Sequence, residues 1–165
     1  MMTTDELLVA IDLTLRTYLP AAITAANLPL IKKYIIGRVT PAHSEQSPYC
    51  WVFTNSWTQP TTPGARTIGG IHGAHVNRPY TVYVCIAAQG SDEAALDMLL
   101  YNYLDVMTEV LEEHWTFGKD GFVLNSDVIE GSASPNLEKP GAKVHFRMSA
   151  LTLNVLTGRI LGGTS

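Results

Sequence analysis

Residues 79–114 read PYTVYVCIAAQGSDEAALDMLLYNYLDVMTEVLEEH. Tyr80, Val82, Val84, Ile86 and Ala88 fall on one face of an extended chain, and Thr81, Tyr83, Cys85 and Ala87 on the other. Alternation rich in aromatic and β-branched residues is the pattern of a sheet strand. Gln89-Gly90 closes it. Ser91 is placed to cap a following helix by accepting from an early backbone N–H, and Asp92 and Glu93 suit the positive end of its dipole. Leu96, Leu99, Leu100, Tyr103, Leu104, Met107, Val110, Leu111 and Trp115 then recur at helical spacing. Asp97, Asp105, Glu109 and Glu112 lie on the opposite side. The stretch predicts a strand passing directly into an amphipathic helix that lies on the sheet, with Leu99, Leu100, Tyr103, Met107 and Val110 against strand 79–88.

Upstream, Thr3 and Glu6 have the spacing of a capping box. Leu7, Leu8, Ile11, Leu15, Tyr18 and Leu19 form an apolar stripe, so a helix opens the chain and Pro20 ends or kinks it. Ala21 to Ala26 restarts a turn or two before Asn27 and Pro29. Leu30 to Val39 is compatible with a short helix or an extended segment, and Gly37 marks a turn. Tyr49 to Asn55 reads as a strand. Ser56 to Asn77 shows no sustained periodicity and holds Pro60, Pro63, Gly64, Gly69, Gly70 and Gly73, the pattern of a binding loop or a mobile segment.

Downstream, Phe122 to Glu130 reads as a third strand, Gly131 to Gly141 as a long hairpin loop, and Ala142 to Thr157 as the closing strand. In that strand Val144, Phe146, Met148 and Ala150 share one parity, whereas Leu151, Leu153 and Val155 take the other. A bulge near Ser149-Ala150 would restore the parity. Otherwise the second set faces something else, and on an edge strand a neighbouring subunit is the natural cover. The expected fold is α+β: a mostly antiparallel sheet of about four strands packed against an N-terminal helix and one long amphipathic helix. It makes one domain over 1–165, with a long loop at 57–77 and a frayed tail at 158–165.

Composition narrows the function classes. A net charge of −4, with eleven Lys and Arg that adjoin only at Lys32-Lys33, argues against a protein built to grip nucleic acid. A charged fraction of 16% beside 46% hydrophobic residues points toward an assembling subunit. The first residues lack the basic flank and apolar run of a signal peptide, and no uncharged apolar stretch reaches the ~18 residues of a spanning helix. No membrane association is expected. Cys50 and Cys85 read as buried, reduced thiols.

Candidate chemistry is sparse. His72 and His75 make an H-x-x-H in a glycine-rich loop that His43, His114 or His145 would have to complete. Two loop histidines without the glutamate of a metalloprotease helix are a weak metal signal. Gly69-Gly70-Ile71-His72-Gly73 lacks the Gly-Lys-Ser/Thr ending of a phosphate loop, and no Gly-x-Ser-x-Gly places a nucleophile. Seven acidic residues and no Lys or Arg between Ser91 and His114 give that helix an anionic face, for which a solvated surface is the simplest account.

The order of elements carries a resemblance. A leading helix is followed by Gly37-Arg38-Val39 and the strand Pro48 to Phe53; a long loop leads to an alternating strand and a Ser-Asp-Glu-Ala-capped helix; a polar hairpin and the closing strand Val144-His145-Phe146-Arg147-Met148 complete it. This resembles the tail-terminator, or tail-completion, proteins of long-tailed bacteriophages, from about Leu30 to Thr157, in architecture and spacing and without a diagnostic motif. The chain departs from that pattern in the Ser56–Asn77 loop and the extra Ala21–Ile36 segment.

The resemblance implies a non-enzymatic virion subunit at the head–tail junction, assembled in the host cytoplasm and needing no cofactor. Its copies would form a ring, typically a hexamer, that ends the tail tube and joins it to the head connector or stopper protein. DNA would pass through without specific binding. Trp57, Arg66, Ile71 and His75 of the loop, and Leu151, Leu153 and Val155 of the closing strand, are then the expected contacts with a neighbouring subunit or the tube protein. Asp97, Asp105, Glu109 and Glu112 are the candidates for an anionic lumen. The alternatives from other classes are a small metal-dependent hydrolase using His72 and His75, and a monomeric or dimeric ligand-binding α+β domain.

Overall fold

The computed structural model describes residues 2–39, 47–57, 66–67, 74–133 and 143–161. Helix α1 (Thr4–Ala25) is followed by β1 (Lys33–Ile36), β2 (Tyr49–Trp57), the two-residue β3 (Arg66–Thr67) and the long β4 (Ala74–Gly90). Helix α2 (Glu93–Glu113) comes next, then β5 (Val123–Ala133) and β6 (His145–Leu161). The six strands form one sheet in the order β1-β2-β4-β6-β5, with β3 paired on the early part of β4. All pairings are antiparallel except β1 with β2. The fold is α+β as expected. Leu30–Val39 resolves as an extended segment whose strand β1 supplies the parallel edge.

Both helices lie on one face of this sheet. The capping box of α1 is present, with Glu6 N–H donating to Thr3 Oγ1 (3.2 Å) and Thr3 N–H donating to Glu6 Oε2 (2.7 Å). The helix does not stop at Pro20 but runs on to Ala25. Leu19 and Ile23 flank the proline on the buried stripe of Leu7, Ile11 and Leu15, so core packing outweighs the one backbone bond that Pro20 cannot donate. Asn27, with φ of 55°, ends the turn that follows. By length and apolarity α1 would suffice to cross a membrane, but here its apolar stripe is buried in the core.

Helix α2 is capped one residue later than its sequence suggests. Asp92, not Ser91, accepts from Ala95 N–H (3.2 Å), which makes Glu93 the first helical residue. Leu96, Leu100, Tyr103, Met107 and Val110 are buried against Tyr80, Val82, Val84 and Ile86 of β4, and Leu99 is partly buried beside them. Trp115 lies beyond the helix and is exposed. The Tyr103 hydroxyl donates to the Pro29 carbonyl, tying α2 to the connection between α1 and β1.

The pairing of β4 with β6 is continuous from Ala74↔Leu161 to Gly90↔His145, with no bulge. The parity change in β6 has another explanation: both faces of the sheet are apolar. Leu151, Leu153 and Val155 join the core beneath the helices, whereas Phe146 sits on the opposite face with Tyr49, Trp51, Cys85 and Ala87. The expected bulge near Ser149 is absent. Register shifts occur instead between β5 and β6, at Val123/Asn125 and Val128/Glu130. Part of the expected loop is strand as well, since β2 reaches Trp57, β3 covers Arg66–Thr67 and β4 starts at Ala74. The tail expected to fray from 158 is paired as far as Leu161.

Candidate assembly interface

The sheet has two edges, and they differ in charge. At one edge β1 begins with Lys33 directly after Lys32, and both side chains are exposed. Arg38 follows the strand, with its guanidinium 5.8 Å from the centre of the Phe53 ring. Arg16 on α1 leans over the same edge. It is paired with Asp12 (2.6 Å), donates to the Tyr34 carbonyl (2.9 Å) and lies 5.3 Å from the centre of the Tyr34 ring. Burial pushes the Tyr34 phenol well above its usual range. Residues 26–39 contain no Asp or Glu.

At the other edge β5 carries Asp127 and Glu130, both exposed, and no Lys or Arg. A crease separates β5 from α2, lined by Tyr101, Asp105 and Thr108 on the helix and by Val128, Ile129 and Glu130 on the strand. It continues past Glu112 and Trp115 to Asn125 and Asp127. Exposed apolar side chains accompany both edges: Leu30 and Ile36 beside β1, and Tyr101, Leu124 and Ile129 beside β5.

The four carboxylates expected to form one anionic stripe separate into two groups. Asp97 receives the buried Arg147 guanidinium (3.4 Å), which also approaches Glu93 (3.6 Å). Glu93 lies 3.1 Å from His145 Nδ1 as well, so the first turns of α2 are tied to the start of β6. Asp105, Glu109 and Glu112 remain exposed on the later turns.

Leu151, Leu153 and Val155 do not form an exposed row. They are 2%, 0% and 1% exposed within the subunit's own core, so they leave the set of interface candidates. Both faces of β6 are apolar, so its sequence alone does not distinguish the set covered by the helices from the set on the opposite face. Trp57, Arg66 and His75 are strand residues grouped by backbone pairing near the start of β4, with Trp57 opposite Tyr80, Arg66 opposite Val76, and His75 opposite Thr67 and Ile160. Ile71 and His72 lie outside the described residues.

Among the described residues no three of His, Cys, Asp and Glu converge as a metal site. His114 is stacked on Tyr18 (3.6 Å between ring centres), and His145 Nδ1 lies 3.1 Å from Glu93. Cys50 belongs to the helix-covered face and Cys85 to the opposite one, which rules out a disulfide between them in this fold. Burial raises both thiols, Cys85 to about 12 and Cys50 further.

No family model matches the chain, and no curated protein matches it. Among solved structures, a chain of the virion of a native gene transfer agent particle is 13% identical, with a TM-score of 0.47 over 93% of this chain and 95% of that one. A likeness of that degree decides no function.

Proposed function

We propose that the chain is a structural virion subunit whose copies close into a ring, a hexamer, at the end of a bacteriophage tail tube, between the tube and the head connector. It acts there by shape and contact, without catalysis or a cofactor. What supports the reading is the order of elements: a leading helix, a short strand and β2, the long β4 running straight into α2, then the β5–β6 hairpin. That is the order on which the resemblance to tail-terminator proteins rests. The end of the sheet that holds Trp57, Arg66 and His75 is the surface assigned to the tube or a neighbouring subunit, and the later turns of α2 are assigned to the DNA passage. Native mass, with metal measured on the same sample, tests the reading. The expected result is a ring of about six copies without stoichiometric metal. A monomer holding tight zinc would favour the hydrolase instead and overturn the structural role.

A further inference from the structure

The two sheet edges are unpaired among the described residues, and they are complementary in more than charge. Strand β1 runs parallel to β2, and β5 runs opposite to β6, which is itself parallel to β2 because both are antiparallel to β4. A second copy set beside the first with its helices on the same side therefore brings its β1 antiparallel to the first copy's β5. No strand direction is reversed and no layer is inverted. Charge on an edge strand usually protects against unwanted pairing, and for that purpose either sign serves at either edge. Here the signs are segregated: Lys32 and Lys33 at β1, Asp127 and Glu130 at β5.

Resting on the ring reading above, we infer that the subunits join edge to edge. The β1 edge of one copy docks on the β5 edge of the next, with Lys32 and Lys33 facing Asp127 and Glu130. The contact is head-to-tail, so it uses two different surfaces of each copy and closes only when the rotation per subunit divides a full turn. Exposed Ile36 and Leu30 on one side, and Ile129 and Tyr101 on the other, supply apolar area beside the charges. Side chains rather than a long backbone ladder carry the contact, because β1 is four residues long and its Tyr34 carbonyl is already taken by Arg16.

Charge reversal in two separate variants tests this. Lys32→Glu with Lys33→Glu makes both edges acidic, and Asp127→Lys with Glu130→Lys makes both basic. All four side chains are exposed, so circular dichroism should show native secondary structure in each variant. The neutral pair Lys32→Gln with Lys33→Gln stands in should the reversal disturb folding, and it should weaken assembly less. Each reversed variant alone should run as a monomer by native mass at a concentration where the wild type is a ring. An equimolar mixture should recover the ring mass, because alternating copies again present opposite edges to each other. Rings formed by either variant alone, or no recovery on mixing, would overturn the edge assignment while leaving the ring reading intact. A wild type that stays monomeric would overturn both.

Discussion

The two faces of the sheet are built from the same strands and are covered differently. On the helix side Tyr80, Val82, Val84, Ile86, Leu151, Leu153 and Val155 are closed over by α1 and α2 into one core. On the other side Tyr49, Trp51, Cys85, Ala87 and Phe146 are buried, but Ile35, Phe53, Tyr83, Met148 and Ala150 around them are only partly so. Aromatic contacts supply much of the packing there: Phe53 lies opposite Tyr83 on the neighbouring strand with ring centres 5.2 Å apart, and Tyr49 stacks near Trp51, two residues along β2, and near Phe146 of β6. Strand β6 shows the contrast within one element. Its first half gives apolar side chains to the open face and its second half to the closed one. A sheet with two apolar faces needs no bulge to accommodate a change of parity.

The largest effect should come from a charge placed under the helices. Leu153→Asp puts a carboxylate where Leu153 has no exposed surface, so ionising it there costs more than the fold can supply. The subunit itself should unfold, with a loss above ~4 kcal/mol, which lies in the range reserved for such lesions. A folded, lower-mass species would instead return this strand to the subunit interface. Next in size, Leu100→Ala removes a large side chain packed between α2 and the sheet and should cost ~2–5 kcal/mol in a denaturation titration. An unchanged midpoint would mean that the helix does not lie on the sheet.

Much of this architecture was legible in the sequence because local signals and burial agree. The capping box of α1, the alternation of 80–88 and the helical spacing of 96–111 each repeat what packing demands. The misreadings fall where tertiary contacts overrule a local signal. Pro20 is a breaker by its own chemistry, yet buried residues on either side carry the helix through it. Ser91 and Asp92 are both good caps, and only the backbone decides between them. Strand β1 is four residues long, too short for periodicity to separate it from a helix turn, and its pairing with β2 is not a local property. The candidate surface was partly legible. The lone basic pair and the acidic helix are visible in the sequence, but their segregation to opposite edges depends on strand order.

The thiols give a comparison of the two faces that leaves stability almost untouched. A cysteine reacts as its thiolate, and burial raises Cys85 to about 12 and Cys50 further, so both should resist alkylation in the native state at pH 8. The sign of the linkage follows from the raised values. Each thiol stays neutral in the folded chain while the unfolded one ionises near pH ~8.5, so the stability it contributes is complete below that pH and is lost as pH rises toward the folded values. Labelling followed by mass spectrometry should find Cys85, on the less enclosed face, modified before Cys50. The reverse order would mean that the helix-covered face opens first.

The smallest expected change in the fold, and the most informative for function, is on the outward side of α2. Asp105 and Glu109 are exposed, and neither takes part in the Arg147 cluster that holds the start of the helix to β6. Asp105→Lys with Glu109→Lys should therefore leave the denaturation midpoint within ~0.5 kcal/mol of the wild type. If these turns line the passage, reversing their charge replaces repulsion of phosphates by attraction. The assembled ring should then retain DNA at low salt and release it as salt screens the contact. Unchanged passage of DNA would put α2 on the outside of the ring. Loss of the ring itself would move Asp105 from the lumen to the crease contact with the next subunit, where its neighbours Ile129 and Glu130 already stand.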